Sequence, residues 1–241
     1  MTGRAGPEAL PHVLVFDLDD TLVPQRAWLA AAAGRVASAT ERAGYATQAA
    51  MQRAMSAQLR AGSDRPGVID RALATARPDP PLPIPTGLVA SLVEEFMATR
   101  VPGLACYEGA HALLRGLRAR GDRVGILTDG RPDTQRGKAA DAGLLDLVDA
   151  LLVTDDLGGR SMRKPNPAGL TELLSRLGCT DPSDALVVGD RPGKDTAVAR
   201  TVGTRAWRVL SGEYSTDPDE PAADLVLPSL RAVGERLGVR S

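Results

Sequence analysis

The stretch HVLVFDLDDTL, residues 12–22, decides the fold of this chain. Its first half is an unbroken apolar run closing on a carboxylate at Asp17, the pattern of a short strand buried on both faces of a parallel sheet. Its second half sets Asp19, Asp20 and Thr21 directly after that strand, where the backbone has to turn. Asp17 and Asp19 alternate across the turn, so both carboxylates can be aimed into one crevice. Like charges that close together are costly unless something positive lies between them. Asp20 reads as the residue that turns the loop.

Working outward, five further runs have the same character: RVGILTD (123–129), ALLVTDD (150–156), ALVVGD (185–190), RAWRVL (205–210) and DLVL (224–227). Between them lie amphipathic stretches with leucine and alanine at helical spacing, namely AHALLRGLRARG, PDTQRGKAADAGLLD, PAGLTELLSRLG and KDTAVARTVG. Alternating strands and helices predict an α/β fold: a Rossmann-like parallel sheet core, with ligands bound beyond the carboxyl ends of its strands. Residues 24–105 break the alternation. They hold alanine-rich helical sequence such as AWLAAAAGRVASATERAG but no strand, and so predict a helical unit inserted after residue 23. The core then comprises residues 1–23 and 106–241. Within the insert, the prolines of ARPDPPLPIPTG (76–87) exclude a continuous helix and predict an extended connector.

Composition narrows the class. In a chain of 241 residues, 43% hydrophobic and 24% charged, the proportions are those of a folded globular protein. The net charge of −1 lacks the basic excess of a nucleic-acid binder. No apolar run reaches the ~20 residues of a membrane span, and MTGRAGPEALPH lacks the apolar stretch of a signal peptide, so a cytoplasmic protein without nucleic-acid or membrane partners is expected. Cys106 and Cys179 have neither disulfide-framework nor zinc-site spacing. Lysine is scarce: Lys138, Lys164 and Lys194 are the only ones.

Four places at strand ends can carry chemistry. The first is the Asp17 and Asp19 pair, for which Mg²⁺ is the natural neutraliser where a phosphate must also approach, since it takes oxygen ligands and keeps several waters. The second is Thr128 with Asp129 and Gly130, ahead of Pro132 at a helix start, where a hydroxyl and backbone amides can bind phosphate oxygens; Asp129 itself reads first as a turn or cap residue. The third is Lys164 in RKPNP, an ammonium able to meet an anion. The fourth is VVGDRPGKD (187–195), which brings Asp190 and Asp195 to the same edge. Each alone is matched by many solvated loops, and four in order are not.

In that order the motifs DLDDT, Thr128, Lys164–Pro165 and GDRPGKD resemble those of the haloacid dehalogenase superfamily, over roughly residues 12–210. The resemblance implies a Rossmann-like core with a helical cap of the first type and hydrolysis of a phosphomonoester through an aspartyl-phosphate. It implies Asp17 as nucleophile and Asp19 as acid, then base, its carbonyl also binding metal. It further implies Thr128 and Lys164 on the phosphoryl group, with Asp129 and Gly130 beside them, Asp190 completing the Mg²⁺ site, and Asp195 supporting metal waters or Lys164. A small phosphorylated metabolite is the implied partner.

Asp19 argues against dehalogenation, because dehalogenases of this superfamily carry another residue type two places after the nucleophile. The absence of lysine between residues 24 and 104 argues against the phosphonate-cleaving members, which form a Schiff base on a cap lysine. A phosphomutase and a non-catalytic phosphate-binding regulator remain as alternatives. His12 and His111, at the starts of a strand and a helix, read as structural; Trp28 and Tyr45 read as packing between helices, and Arg131 as either a substrate contact or a surface residue. Residues 24–104 carry nine arginines to six acidic residues, a local balance of +3 that an anionic ligand would favour.

Overall fold

In the computed structural model, which describes residues 10–77, 79–80 and 82–239, each of the six apolar runs forms a strand. They are β1 Val13–Phe16, β2 Arg123–Thr128, β3 Ala150–Val153, β4 Ala185–Gly189, β5 Arg205–Val209 and β6 Leu225–Leu227. All pair in parallel, in the order β3-β2-β1-β4-β5-β6. The chain builds outward from β1 to β3, then returns to place β4 on the other flank of β1. Such a reversal leaves a crevice at the carboxyl ends of the strands on either side of it. Phe16 pairs with both Ile126 and Val188, so Asp17, Thr128 and Asp190 leave the sheet close to one level.

The chain divides into two compact units, one running to Pro24 and resuming at Ala105, the other Gln25–Leu104. In the first, α5 Ala110–Arg120, α6 Pro132–Asp141, α7 Ala168–Arg176, α8 Ala197–Val202 and α9 Leu230–Arg236 connect or follow the strands. Leu170 and Leu173 of α7 and Val198 of α8 join Val13, Val15 and Val187 in one core cluster. Leu14 and Phe16, which point to the opposite face, are also fully buried. Burial on both faces is why β1 reads as an apolar run rather than an alternation, and each such side chain stabilises the fold by ~1.5–3 kcal/mol. The helix expected from Lys194 onward begins later, at Ala197; Pro192–Thr196 instead form a wider, π-type turn.

The second unit consists of α1 Gln25–Arg42, α2 Gln48–Arg60, α3 Val68–Ala76 and α4 Leu88–Met97, with no strand among its described residues. Trp28, Ala32, Val36 and Thr40 repeat every four residues on the buried side of α1. Val36, Met51, Met55, Leu73 and Leu92 form the centre of its core. Thr47 caps α2, accepting from the Ala50 N–H at 3.2 Å. Trp28 and Tyr45 are both buried. The Trp28 indole donates to the Thr99 carbonyl at 3.2 Å and meets Phe96 edge to face at 5.3 Å. The proline-rich segment separates α3 from α4 and, beyond Ala76, which ends α3, is non-helical wherever it is described; residues 78 and 81 lie outside the described set, as does most of the N-terminal segment read for a signal peptide. No helix among the described residues is long and apolar enough to cross a membrane.

Candidate active site

Asp17 extends β1 by one residue, its N–H donating to the Val188 carbonyl at 3.0 Å. Its Oδ1 lies 2.5 Å from Lys164 Nζ. The same ammonium donates to Asp195 Oδ1 at 2.7 Å and to the Leu127 carbonyl at 3.2 Å. All three side chains are buried. Burial disfavours the lysine's charge, but Asp17, Asp195 and Asp129 outweigh it and raise its pKa, so Lys164 stays protonated. Burial outweighs Lys164 at Asp17 and raises that carboxyl to about 7. Asp190 goes further, to about 9, through burial and then the neighbouring Asp17 and Asp195.

Asp190 is completely buried. Its Oδ1 accepts a long 3.5 Å bond from Thr21 Oγ1, and its Oδ2 has no hydrogen-bond partner among the described residues. A buried carboxylate oxygen without a donor is expensive unless a cation meets it. Oxygens of Asp17, Asp190 and Asp195 lie within 4.8 Å of one another. Asp195 differs from Asp190 in that both its oxygens have donors, Oδ1 from Lys164 and Oδ2 from the Arg191 N–H at 3.1 Å. Asp195 folds back over the end of β4, where a Cβ on Gly189 would lie 2.2 Å from its Cγ. Only glycine fits there.

Asp19 is bracketed from α6. Lys138 Nζ stands 2.8 Å from both carboxylate oxygens, and Gln135 Nε2 donates to Oδ2 at 2.9 Å and to Thr128 Oγ1 at 2.6 Å. Thr128 is thereby tied to Asp19 through one amide. Gly130 sits against the same side chain, since a Cβ there would come 3.2 Å from Gln135 Cγ. The Asp129 carboxylate is engaged within the protein: Oδ1 accepts from Thr154 Oγ1 and the Lys164 N–H, both at 3.0 Å, and Oδ2 lies 3.2 Å from Lys194 Nζ. Burial works against its ionisation, but Lys164 and Lys194 prevail and its pKa is lowered. It does not cap α6, which starts at Pro132 with Arg131 in the N-cap position and no side-chain cap.

Asp20 is the turn residue of the first motif, with a φ of 60°. Tyr107 donates to its Oδ1 and the Glu213 N–H to its Oδ2, both at 3.3 Å. His12 pairs with Asp122 at 3.0 Å and His111 meets the Ala142 carbonyl at 2.9 Å, both away from these carboxylates. Sequence reasoning passed over Lys138, Gln135, Lys194 and Tyr107. The signal for the first two was available: Gln135 and Lys138 stand three apart on α6, one face of one helix. All three lysines of the chain meet carboxylates of this cluster.

A family model described as haloacid dehalogenase-like hydrolase matches residues 11–203. The chain belongs to that family. Among haloacid dehalogenase-like relatives, the chain is 31% identical over 236 residues to a phosphoglycolate phosphatase of Rhodospirillum rubrum, covering 95% of this chain and 92% of that protein. It is 38% identical over 127 residues to a phosphoserine phosphatase of Thermus thermophilus, a match spanning 53% of this chain and about half, 49%, of that protein. Its fold is shared with a crystal structure from Haemophilus somnus named as a predicted phosphoglycolate phosphatase, at a TM-score of 0.68 and 19% identity, covering 96% of this chain and 99% of the other.

Proposed function

We propose that the chain is a Mg²⁺-dependent phosphatase that hydrolyses a small organic phosphomonoester through an aspartyl-phosphate on Asp17. The observation that carries this reading is the contact of Asp17 with Lys164 beside the buried oxygen of Asp190 that has no hydrogen-bond partner among the described residues. The donor set suits Mg²⁺: the oxygens are hard ligands, and Asp17, Asp19, Asp129, Asp190 and Asp195 outnumber the ammonium groups of Lys138, Lys164 and Lys194 by two before Asp20 is counted. Asp17, Asp190 and the Asp19 carbonyl would hold the ion, which would supply the positive charge that lets a carboxylate approach a phosphate dianion.

The protein's own groups then divide the work. Asp17 attacks phosphorus in line as the bond to the ester oxygen breaks, and Asp19 gives that oxygen its proton. In the second half Asp19 takes a proton from water, the water oxygen bonds to phosphorus, and the bond to Asp17 breaks to release phosphate. Thr128, with the backbone at Asp129 and Gly130, binds phosphoryl oxygens, while Lys164 offsets their charge. Such positioning and charge stabilisation, more than strong base chemistry, is what phosphoryl transfer requires. Asp195, with both oxygens engaged, acts by holding Lys164. The helical unit of residues 24–105 serves as the cap that selects the substrate. The two relatives are named for small phosphorylated acids, which supports a substrate of that size.

The test is phosphate release across a panel of phosphorylated metabolites that includes phosphoglycolate and phosphoserine, with Mg²⁺ and after exhaustive chelation. Release confined to the Mg²⁺ arm is expected. Full activity without divalent metal would remove the metal from the reading, and no release from any ester would remove the phosphatase.

A further inference from the structure

Lys138 has no part in the proposed reaction, yet its side chain is 3% exposed and bonds both oxygens of Asp19. Burying a lysine in a helix is costly unless its charge is met. Along α6 the buried residues are Thr134, Gln135, Gly137, Lys138 and Ala139, so the covered side of this helix is largely polar. A helix covering a sheet ordinarily offers leucine there, as α7 does with Leu170, Leu173 and Leu174. What α6 offers instead is a pair of donors, Lys138 and Gln135, converging on one carboxylate from one helix face.

We propose that Lys138 is a positioning residue: together with Gln135 it holds the Asp19 carboxylate in the single orientation from which Asp19 can reach both the leaving oxygen and the attacking water. The proposal rests on the acid and base role assigned to Asp19. Thr128 shares the same clamp through Gln135, so the group that binds the phosphoryl oxygen and the group that moves the proton are kept in register. A carboxylate on a turn, without such a clamp, samples several rotamers, and misplacement by about 1 Å can lower a rate by ~10²-fold.

The experiment compares Lys138→Met, Asp19→Asn and the double variant in the full-length protein with Mg²⁺. Two substrates are used, p-nitrophenyl phosphate, whose leaving group needs little protonation, and glycerol 3-phosphate, whose leaving group needs it. Lys138→Met should lower kcat on glycerol 3-phosphate about 10- to 100-fold with KM within ~2-fold, in keeping with a misplaced catalytic group. It should slow phosphorylation by p-nitrophenyl phosphate far less, and let the phosphoenzyme accumulate. The double variant should be no slower than Asp19→Asn alone, because a clamp has nothing to hold once its carboxylate is gone.

Equal losses on both substrates, or losses that multiply in the double variant, would overturn the proposal. If Lys138→Met does not fold, Lys138→Ala is read by the same two criteria with the same consequences. Normal turnover by Asp19→Asn would bring down the acid and base reading and this proposal with it. A slow Asp19→Asn beside an unimpaired Lys138→Met would bring down the proposal alone.

Discussion

Gly189→Ala is the sharpest perturbation the site offers. The added Cβ would lie 2.2 Å from Asp195 Cγ and 2.4 Å from Asp195 Cβ. Because the Asp195 Cβ is itself in the way, no rotamer change relieves the overlap and the Pro192–Thr196 turn has to move. Restoring ordinary carbon–carbon contact, optimal near ~3.5–4.0 Å, requires a displacement of more than about 1 Å. That breaks the 2.7 Å bond from Lys164 and the 3.1 Å bond from the Arg191 N–H. Overpacking of this kind costs about 1–3 kcal/mol. At ~2–4 °C per kcal/mol for a chain of this size, the unfolding midpoint should fall by about 2–12 °C. A displacement of that size next to Lys164 should lower kcat/KM by ~10²-fold. The control is Gly193→Ala on the same turn, where a Cβ meets nothing within 4 Å; it should stay within ~0.5 kcal/mol of the parent. Phosphate release and thermal unfolding of both variants in Mg²⁺ decide the matter. A fully active, undisturbed Gly189→Ala, or equal damage from Gly193→Ala, would refute the reasoning.

Metal and pH should act together on stability. The pKa values of Asp17 and Asp190 are raised in the folded chain, to about 7 and about 9, from 3.8. Folded protein therefore holds protons that unfolded chain releases, and stability falls as pH climbs from about 4 through those values. Since Mg²⁺ needs the deprotonated carboxylates, its stabilising shift in the melting curve should grow from pH 5 to pH 9, and a shift that is flat with pH would count against Asp17 and Asp190 as ligands. Asp190→Ala should abolish most of that shift, as read by the same melting curves. Asp17→Asn should form no phosphoenzyme, whereas Asp19→Asn, given a good leaving group, should become phosphorylated on the Asp17 peptide and stall; mass spectrometry of the quenched protein distinguishes them, and a label on serine or histidine would contradict the mechanism. Cap substitutions should change which esters are cleaved while sparing a generic aryl phosphate, and parallel loss of both activities in every variant would leave the cap a structural support.

The strands were legible because parallel strands are buried on both faces. Nothing polar interrupts Val13–Phe16 or Ala185–Gly189, and the carboxylates that end those runs mark the sheet edge without further help. The turn after β4 was less legible. KDTAVARTVG has helical spacing throughout, yet the Ala197 N–H reaches back five residues to the Pro192 carbonyl, a widened turn that periodicity alone cannot report. It swings Asp195 onto Gly189. The partners of Asp129 were hidden for another reason, since Thr154 and Lys164 come from the connection after β3 and Lys194 from the one after β4, and they meet it only in the folded sheet.

The face of α6 was the hardest to read, because hydrophobic periodicity assumes that what is buried is apolar, and here Gln135 and Lys138 are buried against Asp19. Composition held the missing clue. A chain with three lysines and an otherwise arginine-borne positive charge uses each lysine where a carboxylate of the site awaits it. The choice follows from shape. Lys164 has to reach Asp17, Asp195 and the Leu127 carbonyl, acceptors carried by three separate stretches of chain, and a compact ammonium can direct its three N–H bonds to them. A guanidinium presents its donors in one plane, suited to a single carboxylate taken side-on, as Arg163 takes Asp155 with two bonds of 2.7 Å in the same loop. Lysine at 164 and arginine at 163 are therefore not interchangeable: at 164 a buried cation must serve acceptors on three stretches of chain, and at 163 a guanidinium serves a single carboxylate.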